Sequence, residues 1–465
     1  MKSESLNSLI RSGTGHIHLI GIGGFGMAGL AILLRDRGFK VTGCDLLESR
    51  FTRTLQSSGI EVSIGHDISH IGSALAGVVR STAVPSSNTE VRAAGDCGVP
   101  VYRRGEVLAG MIKGRSSVAV SGTHGKTTTS AMIAQTLCNA GLAPDYYVGG
   151  ESDVLGGIAA RGRGNLIVLE ADESDGTLSL YEPDISVVTG IDYDHMEHFY
   201  NEEDFIESFV RFTKQTRDCV YYCGDDPVAE RVCSPSGITY GLSPENVYHA
   251  RDLMEKARTS SFSLYRGEMR VGEIHLSVSG RHNVLNALAA CAVCHDLGLS
   301  VEAISEGLAR FEPVRRRFER IGTCGGVEVY SDYAHHPAEI RAVIDSARRL
   351  NARRVIAVFQ PHRYTRTLAL GSDFPPAFDG VDELILLPVY AASESPIKGG
   401  TSEDLFRHFI EYGYESVKLT SSLEEARVEA GKRINEGDLL LVIGAGDVDL
   451  IADWVVDDQI GGPAS

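Results

Sequence analysis

The chain has 465 residues, 43% of them hydrophobic, which predicts about two to four domains that each bury a core. Its 44 basic and 62 acidic residues give a net charge of −18, which argues against general binding to nucleic acid or anionic membranes. Nine scattered cysteines and a polar N-terminus without an apolar leader predict a cytoplasmic protein with no membrane span.

The first predicted elements are a strand, a glycine-rich turn and a helix. The strand His16–Ile20 runs into a turn with the pattern G-x-G-x-x-G, and the next strand, Lys40–Cys44, leads into Asp45. This arrangement predicts a Rossmann-like fold whose turn approaches a nucleotide diphosphate, with the acid near a ribose. Ser81, which follows the strand Gly77–Arg80, is expected to contact the same ligand. The predicted ligand-binding positions of the turn are Gly21, Gly23, Gly24 and Gly26.

The central block opens with a second glycine-rich turn. A strand over residues 118–121 leads into Gly122-Thr123-His124-Gly125-Lys126-Thr127-Thr128, and a helix is expected over Ser130–Asn139. Backbone N–H groups and the helix N-terminus converge here on a point where a polyphosphate can bind. Lys126 adds a positive charge, and the Thr127 hydroxyl is a suitable Mg²⁺ ligand. Val120 stands where the full phosphate-loop pattern has Gly, which argues against an ordinary GTPase or motor ATPase.

Acidic side chains and a histidine follow the next two strands. Residues 166–169 form a strand that ends at Glu170, and residues 185–189 form another that runs towards Asp194 and His195. Because the carboxyl ends of parallel strands meet at one edge of a sheet, these side chains are expected beside Lys126. Carboxylate oxygens together with phosphates are the ligands that Mg²⁺ prefers, which predicts a metal site at this edge.

The last block repeats the pattern of apolar strands followed by polar residues. The segment Tyr330–Pro337 is one instance, and the strand Arg354–Phe359 leads into Gln360-Pro361-His362-Arg363-Tyr364-Thr365-Arg366-Thr367. A late strand is expected over Asp438–Ile443. Strands and helices alternate through all three blocks, which predicts an α/β protein with parallel sheets.

In combination, these motifs resemble the Mur ligases of peptidoglycan synthesis. The resemblance rests on the turn at residues 122–129, the segment Glu170–Asp175, Asp194-His195 and the segment Gly280–Ala287, which occur in this order. It covers nearly the whole chain, from His16 to Asp447. The segments 332–337 and 359–367 are similar to those of the family members that add the first amino acid.

The resemblance implies three α/β domains with separate ligands. A Rossmann-like domain over residues 1–112 would bind a UDP-sugar, a P-loop domain over residues 113–318 would bind ATP, and a Rossmann-like domain over residues 319–465 would bind an amino acid. The metal ion, Mg²⁺ or Mn²⁺, would be held by Thr127, Glu170 and His195.

The resemblance also implies roles for single residues. In addition to the turn at residues 122–128, Asn283, Asn286 and Arg317 would bind ATP. Tyr333 and His362 would contact the substrates. The implied catalytic residues are Lys126, Arg317, Asp332, His335, Arg363 and Arg366.

The implied reaction joins L-alanine to the lactyl carboxylate of UDP-N-acetylmuramate. ATP is needed because a free carboxylate does not react with an amine at neutral pH, whereas an acyl phosphate does. The partners would be these small molecules, without nucleic acid or membrane, and the chain would be a monomer or homodimer. Three alternatives stay open: a recycling ligase that attaches a whole murein tripeptide, a nicotinamide-dependent oxidoreductase built on Gly21–Gly26, and a non-catalytic nucleotide-binding regulator.

Overall fold

The computed structural model describes residues 2–192, 199, 201–233, 237–392 and 394–457. These residues form 16 α-helices and 21 strands in three sheets. The chain divides into two compact units. The first comprises Met1–Met254, Ser261–Ser277 and Asn283–Glu312, and the second comprises Glu255–Ser260, Val278–His282 and Pro313–Ser465. In the described part of the chain, no helix combines the length and apolar character that crossing a bilayer requires.

The helices and strands follow in chain order. The helices are α1 (Lys2–Ser12), α2 (Phe25–Asp36), α3 (Arg50–Ser57), α4 (Thr89–Asp96), α5 (Arg104–Ile112), α6 (Lys126–Asn139), α7 (Glu202–Lys214), α8 (Pro227–Cys233), α9 (Arg281–Asp296), α10 (Val301–Ala309), α11 (Pro337–Arg348), α12 (Tyr364–Leu370), α13 (Phe374–Ala377), α14 (Ser402–Tyr412), α15 (Leu423–Arg433) and α16 (Asp449–Asp457). The strands are β1 (His16–Ile20), β2 (Lys40–Asp45), β3 (Glu61–Ile64), β4 (Gly77–Arg80), β5 (Val101–Arg103), β6 (Ser116–Ser121), β7 (Asp145–Ser152), β8 (Gly157–Ala160), β9 (Leu166–Glu170), β10 (Ile185–Val188), β11 (Cys219–Cys223), β12 (Ile238–Gly241), β13 (Tyr248–Glu255), β14 (Ser260–Arg266), β15 (Met269–Leu276), β16 (Glu319–Cys324), β17 (Val327–Asp332), β18 (Val355–Phe359), β19 (Glu383–Leu386), β20 (Val417–Leu419) and β21 (Leu439–Ile443).

The first sheet has five parallel strands in the order β3-β2-β1-β4-β5. The strands predicted at His16–Ile20 and Gly77–Arg80 are confirmed, and β2 extends one residue further than expected, to Asp45. Strand order reverses between β1 and β4, and the turn Gly21–Gly26 follows β1 at this switch point. In open parallel sheets, ligands bind in the crevice at such a point.

The second sheet has ten strands, in which β6 lies between β10 and β9. Both neighbours run parallel to β6, so the three strand ends meet at one edge, as predicted. The expectation of parallel sheets is wrong for β7 and β8, which pair antiparallel. Helix α6 begins at Lys126 and not at Ser130, because Gly125, with φ 82°, reverses the chain immediately before it.

The third sheet has six strands in the order β16-β17-β21-β18-β19-β20. Side chains of β21 alternate between two buried apolar clusters, which shows that both faces of the sheet are covered. The expectation of a parallel sheet is also wrong for β16 and β17, which form an antiparallel hairpin. Its two-residue loop, Gly325-Gly326, has φ angles of 54° and 79°, and a Gly-Gly pair between apolar runs is a hairpin signal.

Two glycines in regular elements have opposite surroundings. Gly43 lies in β2, where an added Cβ would come within 2.6 Å of the Leu19 carbonyl oxygen and 2.8 Å of Ile22 Cβ. Gly431 lies in α15, where an added Cβ would have no atom within 4 Å. The first glycine is therefore required by packing, and the second is not.

We expect the substitutions Gly43→Ala and Gly431→Ala to change stability in opposite directions. Gly43→Ala should lower the free energy of unfolding by about 1–3 kcal/mol because the methyl group overpacks β1. Gly431→Ala should raise it by about 0.5–1 kcal/mol because alanine restricts the unfolded chain and favours the helix. Urea denaturation followed by circular dichroism measures both, and a neutral Gly43→Ala variant would contradict the close packing of β1 and β2.

Candidate functional site

The loop between β6 and α6 has a shape that only glycine permits at two positions. Gly122 and Gly125 have φ angles of 129° and 82°. A Cβ at Gly122 would clash with the Thr189 hydroxyl, and one at Gly125 would lie 2.5 Å from Asn286 Oδ1. The backbone N–H of Thr123 donates to the Gly190 carbonyl at 2.9 Å, which ties the loop to the end of β10. The sheet edge thus fixes the loop in place.

Lys126 lies inside this loop and contacts three oxygens. Its Nζ donates to the carbonyls of Gly122 and Thr123 at 2.5 and 3.1 Å, and to Glu173 Oε1 at 2.9 Å. The lysine side chain is 12% exposed and that of Glu173 is fully buried. Burial lowers the pKa of Lys126, but the carboxylates, Glu173 foremost, outweigh burial and raise it. Lys126 is therefore a cation at neutral pH.

Glu173 has an unusual proton affinity for a carboxyl group. Burial raises its pKa to about 8, against the opposing charge of Lys126. Asp172 next to it differs, because Arg104 and Lys126 outweigh burial and lower the pKa of that carboxyl. The two neighbouring acids thus have pKa values displaced in opposite directions, an arrangement that is frequent at functional sites.

The two predicted metal ligands that the structure describes, Thr127 and Glu170, lie at one place. A Cβ added to Gly149 of β7 would clash with both the Thr127 hydroxyl and the Glu170 carboxylate. Glu170 Oε2 is buried and, within the described ranges, accepts no hydrogen bond. A buried carboxylate oxygen without a donor is costly unless a cation occupies its vicinity, so the pair fits a hard divalent ion. Asp194 and His195 lie outside the described residues.

Arg104 is a residue of this site that the sequence did not indicate. From the start of α5, its Nη2 donates to Asp172 Oδ2 at 2.7 Å and to Asp175 Oδ2 at 3.3 Å. An added Cβ at Gly26 would clash with the Arg104 guanidinium and lie 2.8 Å from Tyr147 Oη. Arg104 therefore connects the first glycine-rich turn with the acidic end of β9. Its only sequence signal is its position directly after a short strand.

The carboxylate of Asp45, which the sequence places near a ribose, instead holds the first glycine-rich turn. Asp45 Oδ2 accepts a hydrogen bond from Gly23 N at 2.8 Å, and Oδ1 accepts one from Leu46 N at 2.8 Å. The carboxylate thus keeps the turn in shape. Ser81 lies beside the turn as expected, since a Cβ at Gly21 would be 2.9 Å from Ser81 Cβ. Gly24 precedes α2 as its N-cap.

Two further predicted ATP-binding residues, Asn286 and His124, lie next to the phosphate loop. Asn286 on α9 is buried, and its Oδ1 accepts a hydrogen bond from Thr129 Oγ1 at 3.2 Å. Asn283 lies one helical turn earlier and is partly exposed. His124 Nε2 lies 3.6 Å from Asp192 Oδ2, and Thr128 is partly exposed in the first turn of α6.

In the second unit, the predicted residues gather at the carboxyl end of the third sheet. Asp332 ends β17, and its two oxygens accept hydrogen bonds from the backbone N–H groups of Phe318 at 2.6 Å and Ala334 at 2.7 Å. Burial raises its pKa to about 6, and Arg317 opposes the shift. The Arg317 guanidinium lies 5.7 Å from the centre of the Tyr333 ring. Asp332 therefore shapes the surrounding loops in addition to any chemical role.

His335 and His362 form the other side of this cluster. His335 Nδ1 lies 3.1 Å from the Tyr333 carbonyl oxygen, which places the proton on Nδ1 and makes Nε2 the basic nitrogen. The two imidazole rings are 5.9 Å apart, and Arg366 Nη1 lies 3.4 Å from the His362 carbonyl oxygen. Arg363 has a φ of 70°, a conformation that is rare for non-glycine residues and is concentrated at functional sites.

Three family profiles match successive parts of the chain. They describe the Mur ligase family, catalytic domain, over residues 16–116, the Mur ligase middle domain over residues 120–294, and the Mur ligase, glutamate ligase domain, over residues 316–446. The chain is 40% identical to a UDP-N-acetylmuramate–L-alanine ligase of Sorangium cellulosum, with 95% of both chains covered. It is 41% identical to the enzyme of that name from Gloeobacter violaceus, with 96% of both covered.

Solved structures show the same three-domain α/β fold. A UDP-N-acetylmuramate–alanine ligase from Thermotoga maritima superposes with a TM-score of 0.85 at 27% identity, covering 96% of this chain and 100% of that one. A murein peptide ligase from Psychrobacter arcticus superposes with a TM-score of 0.74 at 22% identity, covering 97% and 100%, which is a likeness of fold alone. The profile matches and the near full-length identity lead to one conclusion: the chain belongs to the Mur ligase family.

Proposed function

We propose that the chain is an ATP-dependent ligase that joins L-alanine to the lactyl carboxylate of UDP-N-acetylmuramate through an acyl phosphate. The observation that carries this proposal is the 40% identity over 95% of the chain to a ligase of this name. The site supports it with a glycine loop around the nearly buried Lys126 and, beside it, a Glu170 carboxylate oxygen that accepts no hydrogen bond from the described residues. A nicotinamide-dependent oxidoreductase would leave both features without a use.

The proposal also covers the division of the ligands among the domains, the cellular location and the oligomeric state. The ligands would be divided among a UDP-sugar domain at residues 1–112, an ATP domain at residues 113–318 and an amino-acid domain at residues 319–465. The chain would act on small molecules in the cytoplasm, as a monomer or homodimer. The high similarity to the alanine-adding enzymes favours this reaction over the attachment of a whole tripeptide.

Charge neutralisation would be the main contribution of the phosphate loop. The γ-phosphoryl group carries negative charge throughout its transfer, and fixed cations in a water-poor site stabilise that charge most effectively. Lys126 is such a cation, because it is nearly buried and its pKa is raised by the carboxylates around it. Arg317, Arg363 and Arg366 would add further positive charge near the carboxylate that receives the phosphoryl group.

The metal would bind where the structure has a suitable oxygen donor set. Thr127 and Glu170 would hold Mg²⁺ or Mn²⁺, and His195, outside the described residues, would complete the set. When bound, the ion neutralises phosphate charge and acts as a Lewis acid. Glu170 Oε2 suits this role because it is buried and, in the part of the chain that the structure describes, has no donor.

The incoming amine must lose a proton before it attacks. His335 Nε2 is the most suitable acceptor, because its other nitrogen is held by the Tyr333 carbonyl and keeps the tautomer fixed. Asp332 accepts two backbone hydrogen bonds, so its main contribution would be to position the segment that carries His335. Tyr333 and His362 would line the amino-acid pocket.

Acceptor dependence tests the proposed reaction directly. With ATP and Mg²⁺ present, we expect phosphate release only when UDP-N-acetylmuramate and L-alanine are both added. The murein tripeptide should not replace L-alanine at the same concentration. A coupled assay for phosphate measures this. Release without either acceptor, or a preference for the tripeptide, would contradict the proposal, and an NADH titration should show no binding.

The raised pKa of Glu173 predicts a pH dependence of ATP binding. Ionisation of Glu173 strengthens its hold on Lys126 and adds negative charge near the phosphates, so both effects weaken ATP binding as pH rises. For one group with a pKa near 8, the Kd should increase about tenfold between pH 7 and pH 9. Calorimetric titration at constant Mg²⁺ measures the change.

The variant Glu173→Gln should bind ATP with nearly the same Kd at pH 7 and pH 9. Glu182→Gln is a matched control, since Glu182 forms an exposed pair with Lys113 at 3.0 Å, and it should keep the wild-type pH dependence. An unchanged pH dependence in Glu173→Gln would show that another group titrates.

A further inference from the structure

A second cluster of ligand-type side chains lies within the first sheet, away from the phosphate loop. His18 of β1, Cys44 of β2, His70 after β3 and Glu90 of α4 have ligand atoms that all lie within 4.8 Å of one another. His18 is 2% exposed, and Cys44 and Glu90 are fully buried. Four elements thus direct two imidazoles, a thiol and a carboxylate at one buried point.

The contacts inside the cluster centre on Glu90. Its Oε1 lies 2.6 Å from His70 Nδ1, and its Oε2 accepts a hydrogen bond from the Cys44 thiol at 3.0 Å. His66 Nδ1 lies 2.8 Å from Oε2 and supports the carboxylate from outside the four-residue set. The other three ligand atoms of the set, from His18, Cys44 and His70, thus lie within 4.0 Å of the Glu90 carboxylate.

His18 has a free nitrogen that points into the cluster. Its Nδ1 is paired with Thr42 Oγ1 at 2.9 Å, which fixes the orientation of the ring. Its Nε2 lies 4.0 Å from Glu90 Oε1 and has no hydrogen-bond partner among the described residues. In metal-ligating histidines, the nitrogen that does not bind the metal typically forms a hydrogen bond, as His18 Nδ1 does with Thr42.

The charge of the cluster favours a divalent cation. A thiolate and a carboxylate together carry two negative charges, which a divalent ion neutralises in a buried place where net charge is costly. Nitrogen and sulfur donors suit Zn²⁺, whereas Mg²⁺ and Ca²⁺ take oxygen ligands. Donors around a tetrahedral zinc ion lie about 3.4 Å apart for metal–ligand distances of 2.0–2.3 Å, which is within the spread of this cluster.

We propose that His18, Cys44, His70 and Glu90 form a closed, four-coordinate structural Zn²⁺ site in the first domain. Binding would convert the Cys44 thiol to a thiolate and release its proton to solvent, with His18 bound through Nε2 and His70 through Nδ1. All four protein ligands would be used, so the site would have no open position for substrate and is separate from the proposed ligase chemistry.

The site would stabilise the first glycine-rich turn through Cys44, whose backbone is hydrogen-bonded to that turn. The carbonyl oxygen of Cys44 accepts hydrogen bonds from Gly21 N at 2.9 Å and Ile22 N at 3.0 Å. Asp45, the next residue, holds Gly23 N. Fixing the Cys44 side chain to a metal would therefore order the backbone that supports this turn, and removal of zinc should lower the thermal unfolding temperature of the full chain.

Zinc retention by the full-length protein tests the proposal. After exposure to Zn²⁺ and dialysis against a weak chelator, we expect one tightly held zinc per chain by elemental analysis. The cobalt-substituted protein should show tetrahedral visible bands and a near-ultraviolet thiolate-to-cobalt band. His18→Gln and His70→Gln should lose the tight ion, and Cys44→Ser should lose the thiolate band. Circular dichroism checks that each variant is folded. Because His70 is partly exposed, His70→Gln should disturb the fold less than substitution of the buried ligands.

Two control variants separate this site from others. His16→Gln removes a histidine two residues earlier on β1 that lies outside the set, and it should retain the zinc. Glu170→Gln alters the predicted magnesium site and should also retain it. Absence of a tightly held ion from the wild type, or equal retention by folded His18→Gln and His70→Gln, would overturn the proposal.

Discussion

A buried ion pair between Lys126 and Glu173, 2.9 Å apart, lies at the centre of the first unit's polar site. A lysine ammonium with little access to water needs fixed negative charge. Asp172, whose pKa is lowered, supplies it from the end of β9, and Glu173 adds to it once that carboxyl group ionises. Asp172 in turn is held by Arg104. The charges therefore connect the phosphate loop, the end of β9 and the start of α5 into one network.

This network places a condition on nucleotide binding. In the proposed reaction, a lysine that points to loop carbonyls and to Glu173 would have to exchange these partners for phosphate oxygens when ATP binds. The high pKa of Glu173 makes this exchange less costly near neutral pH, because a protonated carboxyl group holds the ammonium weakly. The carboxylates thus keep the lysine charged and in position without binding it too strongly to be released.

The parts of the structure that follow local patterns were predictable from sequence. The turn after β1, the phosphate loop and the meeting of Thr127 with Glu170 follow from glycine spacing and from the parallel arrangement of β6, β9 and β10. The fold class of the family was equally accessible, because the motifs occur in a specific order. The start of α6 differs from the helix expected over Ser130–Asn139, because the left-handed Gly125 ends the loop and the helix begins directly after it.

Interactions between distant residues were not predictable. Arg104 lies 68 and 71 residues from its two acidic partners, and no local pattern marks it. No local pattern marks the proposed zinc cluster either, because its four residues come from separate elements without the short spacings of a zinc motif. Asp45 fits the ribose-binding pattern, but the pattern could not reveal that backbone N–H groups of the turn occupy its carboxylate.

The rate of phosphate release by Lys126→Ala, compared with Lys113→Ala, tests the central claim most directly. Lys113 forms an exposed pair with Glu182 at nearly the same distance, 3.0 Å, and is a matched control for loss of a lysine. We expect Lys126→Ala to lower kcat/KM on the order of 10²–10³-fold, because the variant loses a fixed cation beside the transferred phosphoryl group. Lys113→Ala should stay within about threefold of wild type, because exposed pairs contribute little. Wild-type activity in a folded Lys126→Ala variant would contradict the account.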